Sequence, residues 1–271
     1  MTERRAAPRL AEVPEADATG TVAALYDDIR CVTGVRTVAL VYRVLAPSPE
    51  TLATVWEDLA PNLADPRVRT PALALDAGRS ARVTSLAPEL VSVPRPETAA
   101  TLASFARINR LNLVGLSALL DGVVAPASRA LVASAGPDPI GDGLPMADVE
   151  RLPNTTTTLL EEMSASVAGA ERPIVIPSLF RYFAHDERLL RALWTALRPV
   201  VEDDSFVRGV TRLRHDATTL ANAFPYRVRP LPPGEARVAV ERFLRTIPSM
   251  IILGGALETA FGLEGRVDSP R

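Results

Sequence analysis

The chain has 271 residues, of which 47% are hydrophobic, and its 30 basic and 32 acidic residues give a formal net charge of −2. This composition predicts one large globular domain or two small ones and excludes a wholly disordered chain. The near balance of charge argues against a nucleic-acid-binding or anionic-membrane-binding protein, so neither kind of partner is expected.

The residue types that are scarce or absent narrow the chemistry further. The sequence contains no lysine, which excludes Schiff-base chemistry, pyridoxal phosphate attachment and P-loop hydrolysis of nucleotides. Its single cysteine, Cys31, excludes an intrachain disulfide and a cysteine zinc site, and we expect it as a small buried hydrophobe. With only two histidines, His185 and His215, we expect no metal ion and no cofactor.

The N-terminal residues 1–12 are charged and lack the apolar region of a signal peptide. The longest apolar run, residues 250–257, is too short to span a bilayer. We therefore expect a cytoplasmic protein without a membrane anchor.

Along the first half of the chain, residues 38–44 are rich in β-branched residues and could form a strand, although they merge into helical spacing. The helical spacing i, i+3, i+4, i+7 then occurs at Leu52, Val55, Trp56 and Leu59. This spacing predicts a helix with one buried face. Ser48 and Pro49 have the chemistry of a helix start, and Pro61 is predicted to end the helix.

The second half repeats these features. The same spacing occurs at Leu190, Leu193, Trp194 and Leu197. Asp186 is the predicted N-cap of this helix and Pro199 its predicted end. Apolar spacing predicts further helices from Phe206 to Leu220 and from Val238 to Ile251, whereas residues 174–176 could form a short strand.

The two tryptophan-containing helices belong to an internal repeat with a constant offset, by which Tyr42 aligns with Phe180. Segments 42–65 and 180–203 share identical residues at Arg43/Arg181, Ala46/Ala184, Leu52/Leu190, Trp56/Trp194, Leu59/Leu197, Pro61/Pro199 and Asp65/Asp203. The same offset places Phe105 on Phe243 and connector 87–96 on connector 225–234. We therefore predict an all-α fold of two tandem helical repeats of about 135 residues, related by a pseudo-twofold. Repeat 1 would span residues 1–135, a Gly/Pro linker would span 136–148, and repeat 2 would span 149–271. We expect a pocket at the junction of the two repeats.

Two polar features of this pattern have open interpretations. Arg43 and Arg181 are repeat equivalents on an apolar segment, and they could form a structural salt bridge or clamp a carboxylate or a departing anion. His215 and Asp216 are adjacent within a predicted helix. They could act as an orienting pair or belong to a solvated face.

Residues 26–30 (YDDIR), Val38, residues 42–46 (YRVLA) and Trp56 resemble the group I 2-haloacid dehalogenases, the DehI family. The resemblance covers nearly the whole chain and is strongest over residues 20–62. It implies two helical repeats in pseudo-twofold order. It also implies a chemistry in which an aspartate activates a water molecule that attacks the α-carbon and expels halide, without a covalent ester.

The resemblance also implies site residues. The family's aspartate follows a serine, which is present here as Ser178, but the aspartate position is Leu179. Because leucine cannot accept a proton, the family's general base is missing. Asn109 falls on the family's pocket asparagine or is a structural amide, and Glu258 falls on a family glutamate or is a buried structural carboxylate. The candidate catalytic residues are thus Asn109, Glu258 and Ser178. The candidate substrate-binding residues are Thr37, Leu40, Arg43, Leu179, Arg181 and Tyr182.

Three functions fit these residues. The first is an enzyme that displaces a leaving group at an sp³ carbon by using a nucleophile within the substrate, for example in a ring closure of secondary metabolism. The second is a non-catalytic protein that binds a small apolar acid. The third is a 2-haloacid dehalogenase whose substitute base is Glu258 or Asp216. All three imply a small-molecule partner with a carboxylate or an anionic leaving group. The sequence leaves open whether the chain forms a homodimer or binds a partner protein.

Overall fold

A computed structural model describes residues 10–76, 83, 87–93, 95–124, 140–168 and 175–263. These residues form helices and connecting segments, and the only β pairing among them is an isolated bridge between Val123 and Val228. The predicted all-α fold is confirmed. Part of the predicted linker, residues 136–139, and residue 174 of the second predicted strand lie outside the described residues.

The helices of the first half are α1 (Gly20–Thr33), α2 (Leu40–Leu45), α3 (Pro49–Ala64), α4 (Pro66–Leu73), α5 (Pro88–Val91) and α6 (Arg95–Asp121). Those of the second half are α7 (Asn154–Ala168), α8 (Ser178–Tyr182), α9 (Glu187–Glu202), α10 (Asp204–Asn222) and α11 (Glu235–Ala260). Short 3₁₀ turns at Glu15–Asp17 and Val149–Arg151 precede α1 and α7.

The helix boundaries follow the offset of the sequence repeat. When that offset is applied, the first residues of α2, α3 and α4 fall on the first residues of α8, α9 and α10, respectively. The two long helices, α6 and α11, pack more extensively against each other than any other pair in the described structure. We therefore propose that the chain is an internal duplication with α6 and α11 as its central pair.

One continuous apolar core runs through both halves. It includes fully buried aromatic side chains from each half, among them Tyr26, Tyr42, Phe180 and Phe183. The ring of Tyr42 packs edge-on against Trp56, with their centroids 5.4 Å apart. Within the described ranges, no helix combines the length and the hydrophobicity that a bilayer span requires.

The structure corrects the predicted strands and helix ends. Most of the segment 38–44 lies in helix α2, and Ile176 lies in an irregular segment, because neither has a partner strand in the described structure. Helices α3 and α9 continue through Pro61 and Pro199, although an interior proline removes one helical N–H and crowds the carbonyl four residues earlier. They end instead at Asp65 and Asp203, where the backbone becomes extended and the next helix is capped.

The prediction that Cys31 is buried is wrong, since this side chain is exposed. Helix α1 buries Val22, Tyr26, Ile29 and Thr33, which share one face at helical spacing. Cys31 falls outside that face because successive residues of a helix are rotated by about 100°.

Candidate functional site

A cavity of about 50 Å³ lies between the long helices α6 and α11 and the starts of the short helices α2 and α8. Its lining includes Thr37, Leu40, Phe105, Ile108, Asn109, Asn112, Val175, Ser178, Phe243, Thr246, Ile247 and Met250. Many of these positions are related by the repeat offset, as Phe105 and Phe243 are. The two halves therefore contribute corresponding positions to a single cavity.

Helical spacing explains how the long helices reach the cavity. The lining residues of α6 are Phe105, Ile108, Asn109 and Asn112, and those of α11 are Phe243, Thr246, Ile247 and Met250. Both sets follow i, i+3, i+4, i+7, so each forms one face of its helix. The face on α6 contains two amides, whereas the face on α11 is apolar except for Thr246.

A buried hydrogen bond orients one of these amides. The Tyr42 hydroxyl donates to Oδ1 of Asn112 over 2.9 Å. Burial raises the pKa of Tyr42 well above its usual range, so its hydroxyl stays protonated and remains a donor. Because Oδ1 faces Tyr42, the NH₂ group is the part of Asn112 that is available to a ligand.

Asn109 lies one turn before Asn112. Its Nδ2 donates to the Phe105 carbonyl over 2.8 Å. Since this is its only hydrogen bond to a described residue, its second N–H and its oxygen remain available on the cavity side.

Tyr182 lies where the cavity meets a wider cleft. Burial raises the pKa of Tyr182, although the neighbouring Thr37 side chain acts in the opposite direction. The hydroxyl is therefore neutral near pH 7. Ser178, the first residue of α8, adds another hydroxyl to the lining.

Every side chain that lines the small cavity in the described structure is uncharged at neutral pH. The lining includes no aspartate, glutamate or histidine. Asn, Ser, Thr and Tyr can hydrogen-bond to a substrate or a leaving group, but none of them is a base that deprotonates water efficiently near pH 7. No group of three His, Cys, Asp or Glu side chains suited to a metal ion occurs in the described ranges.

The adjoining cleft has a volume of about 490 Å³ and shares Thr37, Met146 and Tyr182 with the cavity. Its charged lining includes Arg43 and Arg181, which both face Glu12 of the N-terminal segment. Nε of Arg43 is 3.0 Å from Oε2 of Glu12, and Nη1 of Arg181 is 3.3 Å from Oε1. The two repeat-equivalent arginines thus share one carboxylate.

The structure brings five of the candidate residues from the sequence together at the cavity, namely Thr37, Leu40, Asn109, Ser178 and Tyr182. Arg43 and Arg181 lie in the adjoining cleft instead. Leu179 is fully buried and does not line the cavity, although Val41, its counterpart in the repeat, does. On α8 it is therefore Ser178, and not Leu179, that faces the cavity.

Neither carboxylate that sequence analysis considered as a substitute base lies at the cavity. Glu258 is near the end of α11, about 12 Å along the helix from Met250, and it lines none of the cavities described here. Asp216 lies on α10 with its carboxylate 3.7 Å from Arg212, and its neighbour His215 is exposed.

Sequence analysis missed Asn112, Met146 and the cavity face of α11. The repeat offset, applied to Phe105 and Asn109, would have pointed to Phe243 and Ile247. Helical spacing from Asn109 would have added Asn112, whereas Met146 lies in an irregular segment without a periodic signal.

No protein-family profile matches the sequence, and no curated protein is similar to it in sequence. Solved structures of D-2-haloacid dehalogenase match along nearly the whole chain. A mutant of that enzyme gives a TM-score of 0.67 at 15% identity, covering 97% of both chains. The complex of D-2-haloacid dehalogenase with L-LA gives a TM-score of 0.67 at 17% identity, covering 96% of this chain and 97% of that one. A mutant with D-2-CPA gives 0.66 at 17% identity, covering 94% and 95%. At these identities the likeness shows the fold alone, and this chain has the all-α fold of D-2-haloacid dehalogenase, a dehalogenase-like scaffold.

Proposed function

We propose that this chain is an enzyme of small-molecule, secondary metabolism that displaces a leaving group at an sp³ carbon by ring closure within the substrate. The observation that carries this proposal is the uncharged lining of the small cavity on a dehalogenase-like scaffold. The neighbouring dehalogenases act on 2-haloacids, and displacement of a leaving group from carbon is the part of that chemistry that we transfer.

Hydrolysis would require a base next to a water molecule. No carboxylate or imidazole lines the cavity in the described structure, and Leu179, at the position where the family resemblance implies an aspartate, has no group that accepts a proton. Water is a weak nucleophile without such a base. A free amine on the substrate needs no such activation.

Ring closure uses groups that the substrate itself contains. The lone pair of the amine nitrogen forms the new C–N bond while the C–X bond breaks, and the bonding electron pair leaves with X⁻. The amine reacts in its unprotonated form, after its proton has passed to solvent, and the ring nitrogen then keeps its two remaining protons as an ammonium group. No protein base takes part in the bond-forming step. A cavity of about 50 Å³ would favour this step by holding a short chain folded with its nucleophile near the carbon.

The amides of the cavity would stabilise the departing anion. Asn109 has an N–H that bonds to no described residue, and Tyr42 turns Asn112 so that its NH₂ group is available. Fixed neutral donors stabilise a developing negative charge without an ion pair. Convergent donors also favour this proposal over a merely apolar binding pocket.

The test compares two kinds of chloride-releasing substrate. We expect the protein to accelerate chloride release from 4-chlorobutylamine, which closes to pyrrolidine, and not from either enantiomer of 2-chloropropionate, which has no internal nucleophile. Chloride release from 2-chloropropionate would contradict the proposal and establish hydrolysis. Release from neither would also contradict it and favour a binding protein.

A matched pair of variants locates the step in the cavity. We expect Asn109→Leu to lower kcat for chloride release by about 100-fold, because it removes an anion donor but keeps a similar volume. The control is Ser117→Ala, also on α6, since the Ser117 hydroxyl likewise donates to a carbonyl four residues earlier but lies outside the cavity lining. Equal effects of the two substitutions would show that Asn109 acts only through the helix.

A further inference from the structure

Arg43 is a buried arginine whose Nε has no hydrogen-bond acceptor among the described residues. Its side chain is only 7% exposed. Its Nε is 3.0 Å from the Glu12 carboxylate but is oriented so that no hydrogen bond forms. No N–H of this guanidinium donates a hydrogen bond to a described residue. A buried donor without an acceptor is costly, and Arg43 lines the cleft. This arrangement points to an acceptor that a ligand supplies.

Arg181 adds a second guanidinium to the same place. Its Nε donates to the Ala147 carbonyl over 3.0 Å, and its Nη1 contacts the same Glu12 carboxylate. Burial lowers the pKa of Arg181, which reflects the cost of a cation in this environment. One carboxylate thus faces two buried cations.

The other charged groups that line the cleft are already paired. The pairs are Glu15 with Arg30 at 2.7 Å, Arg36 with Asp142 at 3.1 Å, and Asp148 with Arg151 at 3.2 Å. Arg30 also pairs with Asp27 at 2.7 Å, so it does not offset Glu15 alone. Within the group of Arg43, Arg181 and Glu12, two guanidinium groups face one carboxylate, and the single net positive charge of this group suits a singly charged anion.

We propose that Arg43 and Arg181 form a subsite for the carboxylate of a small organic acid, and that the Glu12 carboxylate occupies this subsite when no ligand is bound. Carboxylates match the planar fork of a guanidinium and accept two of its N–H groups at once.

The position of the subsite defines a substrate class. The cleft with the arginines adjoins the small cavity through Thr37, Met146 and Tyr182. An amino acid with a short side chain that ends in a leaving group could place its carboxylate at the arginines and its reactive carbon in the cavity. This substrate class rests on the proposed function, whereas the anion subsite does not.

Glu12 can leave the subsite without unfolding the segment to which it belongs. Its neighbour Val13 is anchored by the backbone, because its N–H donates to the Arg43 carbonyl and its own carbonyl accepts from the Tyr26 hydroxyl. The Glu12 side chain is 24% exposed. Rotation of that side chain into solvent would exchange one carboxylate for another at constant charge.

Binding of pentanoate, measured by titration calorimetry, tests the subsite. We expect wild type to bind pentanoate weakly and pentan-1-ol not measurably. Glu12→Gln should bind pentanoate about tenfold more tightly, because a tethered competitor has been removed. The matched control is Asp142→Asn, which removes a negative charge from the same cleft but from a different arginine. It should change the affinity by less than about threefold, as expected of a solvent-exposed pair.

Equal affinities of wild type and Glu12→Gln, or equal binding of pentanoate and pentan-1-ol, would overturn the subsite. Circular dichroism checks that each variant is folded. If Glu12→Gln does not fold, Arg43→Met decides the question, since it keeps the aliphatic stem and removes the guanidinium. This variant should bind pentanoate at least about tenfold more weakly than wild type, and unchanged affinity would overturn the proposal.

A kinetic comparison separates the subsite from the proposed function. The substrate 2-amino-5-chloropentanoate differs from 4-chlorobutylamine by the carboxylate that the subsite would bind, and we expect a lower KM for it in wild type. Arg43→Met should abolish this advantage. Pentanoate binding without any chloride release would contradict the proposed function and leave the subsite intact. Chloride release from both substrates with equal KM would contradict the subsite alone.

Discussion

Tyr42 and Phe180 differ by one hydroxyl at positions related by the repeat offset. The hydroxyl of Tyr42 bonds to Asn112, whose counterpart under the same offset is Met250. A polar pair in the first half thus corresponds to the apolar pair of Phe180 and Met250 in the second. Asn109 and Ile247 differ in the same sense. The cavity has amides on its α6 side and mainly hydrocarbon on its α11 side, so its two sides would bind different ends of an asymmetric ligand.

We expect Tyr42→Phe to lower the free energy of unfolding by about 1–3 kcal/mol, because it leaves Oδ1 of Asn112 without its buried donor. The double variant Tyr42→Phe/Asn112→Met reproduces the apolar pair of the second half and should recover part of this loss. Urea denaturation with an unchanged m-value measures both effects. A double variant destabilised by the full sum of the two single substitutions would contradict this account.

Asn109 and Ser178 were expected in the site from the family resemblance, and both line the cavity. Leu179, expected in the site from the same resemblance, does not line the cavity, because a step of one residue on a helix turns the side chain by about 100°. Glu258, which the resemblance left open as a structural or a functional carboxylate, lies further along α11 than the residues that line the cavity. The contact between Glu12 and the two arginines could not be predicted, since it joins the N-terminal segment to α8 across most of the chain.

Asp65 and Asp203 each join two helices at corresponding places in the two halves. Asp65 ends α3, and its side chain accepts a hydrogen bond from the Arg67 N–H at the start of α4. Asp203 does the same between α9 and α10 through Ser205. The apolar spacing predicted the buried faces of α3 and α9 correctly, but it assigned their ends to prolines. These helices end because Asp65 and Asp203 adopt an extended backbone. In that conformation each carboxylate accepts a hydrogen bond from an N–H at the start of the next helix.

The electrostatics of Asp65 predict a pH dependence of stability. A hydrogen bond from the Arg67 side chain holds the pKa of Asp65 at about 2, below its ordinary value of 3.8. Because the pKa is lower in the folded state, the charged carboxylate stabilises the fold above about pH 4, and this stabilisation is lost as the pH falls towards about 2. Asp65→Asn keeps the capping oxygen but lacks the charge. The stability advantage of wild type over this variant should therefore shrink over that range in urea titrations.

Asp203→Asn is the control for this effect. The side chain of Asp203 caps Ser205. The side chain and the N–H of Ser205 lower the pKa of Asp203, and the charge of Arg208 contributes less. We expect a smaller pH-dependent difference, because Asp203 is exposed and solvent screens its charge. A constant stability gap between wild type and Asp65→Asn down to the lowest pH would contradict the role assigned to Arg67.

Hydrogen bonds between an asparagine side chain and the backbone join the two halves of the molecule, in addition to the shared core. Nδ2 of Asn62 donates to the Tyr226 carbonyl over 3.2 Å, and the Tyr226 N–H donates to Oδ1 of Asn62 over 3.1 Å. The counterpart of Asn62 under the repeat offset is Val200, which is fully buried. The repeat thus predicted corresponding helices but not this polar contact, because it joins segments far apart in sequence and occurs in one half only.

This arrangement predicts that the two halves unfold together. Each half has one tryptophan, so Trp194→Phe leaves Trp56 as a reporter of the first half, and Trp56→Phe leaves Trp194 as a reporter of the second. In each variant we expect the fluorescence midpoint in urea to coincide with that of far-ultraviolet circular dichroism, because a continuous core couples the halves. Adding Asn62→Ala should lower both midpoints equally, since the Tyr226 N–H and carbonyl lose their buried partners. If only one tryptophan responded to Asn62→Ala, or if fluorescence and dichroism separated, each half would be an independent folding unit and the cavity between them would form only after both had folded.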